Sequence, residues 1–280
     1  MALSNISLSS GMRNNLLAMQ GTSRLMSTTS ERLGTGKKVN SALDNASAYF
    51  ASQSHLQRAN DLSNRKDGMS EAIQTIKAAD AGIKGITTLV EQMKGLVNDS
   101  VGASDDVVAA NSKAIKEISG QITKLISDSK YKGTNLLTSG SNLTVYFDEA
   151  GTNSLTITAA DFSTLGETTD PEFTIGLTDI DLAAEADPTS TADALTSIQN
   201  ALNTLRSTST SLSANLGVIT ARQEFTASMI NTLQIGSDNL TLADLNEEGA
   251  NMLALQTQQQ LSTSALSLSS QAAQAVLRLF

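Results

Sequence analysis

Few side chains in this sequence could do covalent or acid–base chemistry. There is no Cys and a single His, His55. The absence of Cys removes disulfides, thiolate metal sites and thiol nucleophiles. One imidazole, with no second His or Cys to join it, makes a poor metal or catalytic centre and reads as a plain polar surface or interface residue. The dipeptide Gly36-Lys37 invites a phosphate-loop reading. Such a loop needs a Gly five positions before the second Gly, and Glu31 stands there. Lys37 and Lys38 therefore read as solvated or interfacial. The acids gather on no predicted face. An enzyme is the least supported class, and no cofactor or metal is expected.

The elements around these residues are helical. Aromatics make up 3% of the chain and Trp is absent. Such a composition suits long helices seamed by Leu, Ile, Val, Met and Ala better than a thick globular core. The charge balance, 19 Lys+Arg against 28 Asp+Glu, gives a net charge of -9. That speaks against nucleic acid, whose phosphates need a basic face. No apolar stretch approaches the roughly 20 residues of a membrane helix, so no membrane partner is expected. The N-terminus lacks a basic start followed by an apolar run. An extracellular destination would thus require a dedicated export machine.

The two ends share one character. Met12, Leu16, Met19, Ser23, Met26, Ser30 and Leu33 recur at alternating steps of four and three, and so do Leu261, Ala265, Leu268, Ala272, Ala275 and Leu279. This is a coiled-coil seam. The other faces of residues 240–280 carry Ser, Thr and Gln, and beyond Glu248 the only charged side chain is Arg278. A helix solvated alone normally carries charge on its outer face. The expectation is that the ends pair with each other and lie surrounded by uncharged helices, with the Leu/Ala seam of the C-terminal helix against the N-terminal helix.

Between the ends, Gly34 and Gly36 should stop the first helix, and Ser41 or Asp44 should cap the second. Met69, Ile73, Ile76, Ala79, Ile83, Ile86, Val90, Met93 and Val97 mark a seam along 55–100. Asp105 and Asp106 suit the start of a third helix, with Val108, Ile115, Ile118, Ile122 and Leu125 facing inward. The period then changes to alternation in Leu143–Phe147 and Leu155–Thr158, separated by turn residues, which predicts a β-hairpin. Glu172–Thr178 could add a strand within a loop that holds both prolines. From about Thr191 a heptad run extends from Leu195 to Leu233, and Gly236 and Asp238 should end it. The expected fold is mainly α: a long antiparallel coiled-coil helical hairpin with a small β-hairpin insertion.

Several short motifs, in order, resemble bacterial flagellin. They include Glu31-Arg32-Leu33-x-x-Gly36, then Val39-Asn40-Ser41-Ala42-x-Asp44-Asn45-Ala46, then Asp67-Gly68-Met69-Ser70 and Tyr131-Lys132-Gly133-Thr134-Asn135-Leu136-Leu137. Near the C-terminus, Ala243-Asp244-x-x-Glu247-Glu248 and Val276-Leu277-x-Leu279-Phe280 continue the likeness. Asn45 stands where the family commonly has Asp. The resemblance covers roughly 1–137 and 191–280.

It implies a structural subunit that polymerises into the extracellular flagellar filament for swimming motility. Residues 1–40 and 236–280 would form the inner core coiled coil. Residues 41–137 and 191–235 would form an outer helical shell, and 138–190 a short β-hairpin and variable loop without the large outer domains of other flagellins. Expected partners are other copies, alone or mixed with other flagellins, in a helical homopolymer. The flagellar export apparatus, an export chaperone, the filament cap and hook-junction proteins would complete the set. The family's receptor-recognition segment corresponds to Glu91–Leu96. Here Gln92 replaces the key Arg and Gly95 replaces Glu, while Lys94 and Leu96 flank them. Loss of the planar, charged fork implies weak activation of the animal toll-like receptor.

Two other readings compete. A hook–filament junction protein would share the helical ends but match the motifs less well. An intracellular coiled-coil adaptor would leave the charge-poor ends of a charged chain unexplained.

Overall fold

A computed structural model describes residues 10–162 and 188–277. The expected strand at Glu172–Thr178, most of the proline-bearing loop and Leu279 lie outside the described residues. The chain divides into two compact units, one built from the chain up to Gln57 and from Thr232 onward, the other from Arg58 to Asn231. Five helices and one two-stranded antiparallel sheet are present among the described residues.

In chain order the helices are α1 (Ser10–Thr35), α2 (Ala46–Ser100), α3 (Asp105–Asp128), α4 (Pro188–Thr241) and α5 (Leu245–Leu277). Strands β1 (Leu143–Tyr146) and β2 (Ser154–Ile157) follow α3 and pair Leu143 with Ile157 and Tyr146 with Ser154. The helix ends carry their chemistry locally. Helix α1 runs through Gly34 and stops at Gly36, whose φ of 70° leaves the helical region. Helix α2 is capped by Asn45, whose Oδ1 accepts from the Ala48 N–H at 3.1 Å, not by Ser41 or Asp44. Those two residues bond each other in the preceding turn.

Helix α4 corrects a second expectation. It passes through Gly236 and Asp238 without a break and ends at Thr241. A mid-helix Gly costs about 1 kcal/mol against Ala, and local packing offsets that here. Ser237 Oγ bonds Ser52 Oγ at 2.8 Å in a buried pair, and a Cβ on Gly236 would stand 3.9 Å from His55. His55 thus packs against α4, a structural position.

Within the Arg58–Asn231 unit the core follows the seam read from sequence, though on α3 Ile126 is buried and Val108, Ile118 and Leu125 are only partly so. Met69, Ile76, Ile83, Ile86, Val90, Met93 and Val97 of α2 are buried with Ile115, Ile122 and Ile126 of α3 and Ile198, Leu202, Leu205, Leu212 and Ile219 of α4. Polar pairs fix an antiparallel register between α2 and α4. Lys94 Nζ donates to Gln199 Oε1 at 3.3 Å, Ser209 Oγ to Asp80 Oδ1 at 2.9 Å, and Gln223 Nε2 to Ser70 Oγ at 2.6 Å. Two of the α2 glycines serve close approach. A Cβ on Gly82 would lie 2.2 Å from Ser129 Oγ and one on Gly85 2.8 Å from Leu125 Cδ2, whereas Gly68 and Gly95 face open space.

The hairpin is held on α2 and α4 by cations. Arg58 Nε bonds Glu149 Oε1. Arg65 donates to the carbonyls of Asp148 and Glu149 at 3.0 and 3.2 Å, and Arg222 lies 5.3 Å from the Phe147 ring centroid. The Asp148 carboxylate accepts from the Thr152 and Asn153 N–H groups and closes the turn.

Candidate assembly surface

The feature that chemistry-bearing residues do not provide, a working surface, is built from α1 and α5. The two helices pack on each other and run antiparallel. Arg32 Nη1 donates to Glu248 Oε1 at 2.8 Å, the Ala243 N–H to the Gly36 carbonyl at 3.0 Å, and the Lys38 N–H to the Thr241 carbonyl at 2.8 Å. Helix α5 starts where it does because Asp244 Oδ1 accepts from the N–H groups of Asn246 and Glu247, while Glu247 and Glu248 sit in its first turn. Both arrangements favour a helix N-terminus. The Asp-x-x-Glu spacing is a start signal that could have been read from sequence; the pairing of Glu248 with Arg32 could not.

On α1 the inward positions are Met12, Asn15, Met19, Thr22, Met26, Thr29 and Leu33, at strict steps of three and four. Met12, Met19, Met26 and Leu33 of the expected seam are among them, each half-buried. Leu16 is turned outward, with Leu17 and Leu25. Thr22 is buried because its hydroxyl is satisfied inside the helix by the Ala18 carbonyl at 3.0 Å.

On α5 the inward face is Met252, Leu255, Gln259, Ser262, Leu266 and Ser269. This overturns the expectation that the Leu/Ala seam meets the N-terminal helix. Leu261 and Leu268 are each 67% exposed, and Ala265, Ala272 and Ala275 are exposed with them. The physical reason is that α5 carries two stripes of heptad spacing about one residue apart. The mixed Met/Leu/Gln/Ser stripe meets the Met/Thr face of α1, and the Leu/Ala stripe is left in water. Isolated exposed leucines are ordinary; a stripe of them along a helix is a surface that water does not favour.

The motif at 31–44 is a self-supporting turn. Glu31 is exposed, and its carbonyl accepts from Thr35 Oγ1. Asp44 Oδ2 accepts from the N–H groups of Asn40 and Ser41, each at 2.9 Å, and from Ser41 Oγ at 3.3 Å. These N–H groups, Ser41 first, hold the Asp44 carboxyl below its usual value of 3.8. Asn40 Nδ2 reaches Thr35 Oγ1 at 3.1 Å, tying the turn back to α1. Further along, Gln92 is exposed, Leu96 packs against the core, and Lys94 is engaged with Gln199.

Among the described residues no group of three or more His, Asp or Glu converges as a metal site, and no helix is long and apolar enough to cross a membrane.

Comparison with known proteins gives this surface a context. The family model described as the bacterial flagellin N-terminal helical region matches residues 4–142, and that of the bacterial flagellin C-terminal helical region matches 195–280. The chain is 30% identical to flagellin FljO of Caulobacter vibrioides over 288 residues and 30% identical to FljK of the same organism over 287, with 100% of both chains covered in each case. It is 26% identical to a flagellin of Brucella melitensis, with 95% of each chain covered.

Proposed function

The chain belongs to the bacterial flagellin family, and from that premise we propose how its parts divide the work of a filament subunit. As a flagellin it is an extracellular structural protein that polymerises into the flagellar filament of swimming cells. In our reading residues 1–40 and 236–280 form the inner core of that filament. Residues 41–137 and 191–235 form the helical shell around it, and 138–190 carry the hairpin and a short variable loop. The reading assigns no catalytic role.

The observation that carries it is the Leu/Ala stripe of α5 standing in water beside an α1 whose Leu16, Leu17 and Leu25 are also outside. Burying one Leu-sized side chain is worth about 1.5–3 kcal/mol, against about 1–2 kcal/mol for ordering each backbone residue. A lone pair of such helices gains little from its small, half-polar seam. The same pair packed by neighbouring copies buries its second stripe as well. Folding of the ends is thereby coupled to assembly, and contacts that repeat head-to-tail without closing give a helical polymer. Met12, Leu16, Met19, Met26, Leu33, Leu261, Ala265, Leu268, Ala272, Ala275 and Leu279 are the assembly residues of this reading. The scarcity of charge on α5 beyond Glu248 keeps like charges from stacking where every copy contributes the same residue.

Export by the flagellar apparatus, a chaperone for the exported chain, a filament cap and hook-junction proteins belong to the same proposal, supported by family membership. Removal of residues 241–280 tests the core. Filaments viewed by electron microscopy should vanish; normal filaments from the shortened chain refute the reading.

A further inference from the structure

Leu43 is 97% exposed. On a loose segment that would mean little. Here the turn is tied down by the three hydrogen bonds onto Asp44 Oδ2 and by the Leu43 N–H, which donates to Ser41 Oγ at 3.2 Å. The leucine is held out as a knob. All of the bonds to Asp44 fall on Oδ2, so among the described residues Oδ1 beside the knob accepts none.

The Arg58–Asn231 unit holds a hollow of about 190 Å³ between α2, the hairpin turn and α4. Its apolar lining is Leu62, Phe147, Phe225 and Met229, and its charged lining is Arg58, Arg222, Asp148 and Glu149. Small-molecule sites run to roughly 300–1,000 Å³, so this hollow suits a single side chain. Phe225 is 57% exposed at this hollow, apolar area that the chain itself leaves uncovered. Arg222 stacks on Phe147 and has no carboxylate partner among the described residues. Arg58, by contrast, is neutralised by Glu149.

We propose that Leu43 of one copy seats in the Phe225–Met229 hollow of a neighbouring copy, with Asp44 Oδ1 meeting Arg222. The occupant is a second copy because the chain is a flagellin, and the inference rests on that reading. Knob and socket are different parts of the molecule, so the contact is heterologous. It propagates from copy to copy and does not close on a two-fold axis. Charge complementarity fixes which way the knob enters: an acid follows the leucine, and in the socket Glu149 is engaged by Arg58 and Asp148 by its own turn, which leaves Arg222 without a carboxylate partner among the described residues.

The chain has no Cys, which allows a clean test. Leu43→Cys and Met229→Cys chains are each added as a minor fraction to an excess of native chain, assembled, and treated with a short bis-maleimide. A covalent dimer is expected only in filaments that contain both variants. Filaments giving no more dimer from this pair than from Leu43→Cys with Gln121→Cys, an exposed position on α3, overturn the contact. Because native chain is in excess, a failure to form filaments at all counts against the filament reading and not against this contact. Separately, Leu43→Ser should raise the critical concentration for polymerisation about tenfold with an unchanged thermal melt of the monomer. An unchanged critical concentration overturns the proposal.

Discussion

Arg32 and Glu248, 216 positions apart, meet at 2.8 Å, and Glu248 keeps only 10% of its side chain exposed while Arg32 keeps 38%. Such a pair is neither a solvated surface bridge nor a fully dry one. Arg32→Ala leaves a nearly buried carboxylate without its cation and should cost about 1–2 kcal/mol, between the surface and buried limits. Guanidinium denaturation followed by circular dichroism measures it. The exchange Arg32→Glu with Glu248→Arg should recover part of the loss.

A charge placed on the outward stripe should separate assembly from folding. Leu268→Lys and Ala265→Glu alter positions exposed in the single chain, so the helicity and melting of the Arg58–Asn231 unit should stay within about 0.5 kcal/mol of native. Filament yield after sedimentation should fall to near nothing. The inward position Leu266 should behave differently: Leu266→Lys should also loosen the pairing of α1 with α5.

Glycines of α2 should split by environment. Gly82→Ala forces a Cβ into Ser129 and should destabilise by about 1–3 kcal/mol. Gly95→Ala meets open space and should stabilise by about 0.5–1 kcal/mol through helix propensity. Thermal denaturation of the two variants should therefore move in opposite directions.

Acid should release the turns before the core. Asp44 is held below its ordinary 3.8 by the Ser41 and Asn40 N–H groups, Asp148 by Thr152 Oγ1 and then the Asn153 and Thr152 N–H groups, and Asp80 by Lys84 and Ser209. A folded value below the unfolded one means the stabilisation is complete above 3.8. It is lost as pH falls from 3.8 through the folded values. Lys132 is raised above 10.5 by Glu71, so its share is complete below 10.5 and is lost as pH climbs through the folded value. An acid titration of the Thr152 and Asn153 amide signals should show the hairpin turn opening below pH 3.8, and Asp148→Asn should remove that step.

Receptor activation should be weak. Gln92 supplies no guanidinium, Gly95 supplies no carboxylate, and Lys94 is engaged with Gln199. A dose–response curve in reporter cells should lie well to the right of that of a strongly stimulating flagellin.

The heptad seam from Leu195 to Leu233 was legible residue by residue, because every seam position, from Ile198 and Leu202 to Thr226 and Ile230, is buried or half-buried. Its apolar members are large and only one stripe of them exists. On α5 that condition fails. Leu occurs in both stripes at the same heptad spacing, so spacing alone does not tell which one meets α1. Local chemistry misled in two further places. Asp44 and Asn45 are adjacent capping types, and the backbone, not composition, decides that Asn45 caps α2. Gly236 reads as a breaker until the Ser52–Ser237 pair and His55 beside it are known. Leu43 left no signal, since a leucine between Ala42 and Asp44 carries no period. The hollow it faces in our proposal arises from packing between segments far apart in sequence.

The bonds joining the turn after α1 to the turn before α5 lie side by side. Lys38 N–H and Val39 N–H both reach the Thr241 carbonyl, at 2.8 and 3.3 Å, and Ala243 N–H reaches Gly36, with Arg32–Glu248 one helical turn beyond. A pull along either helix therefore loads the whole set at once, in shear, and does not peel it open bond by bond. The two helices act as one strut under tension. Its yield point is set by four weak links failing together.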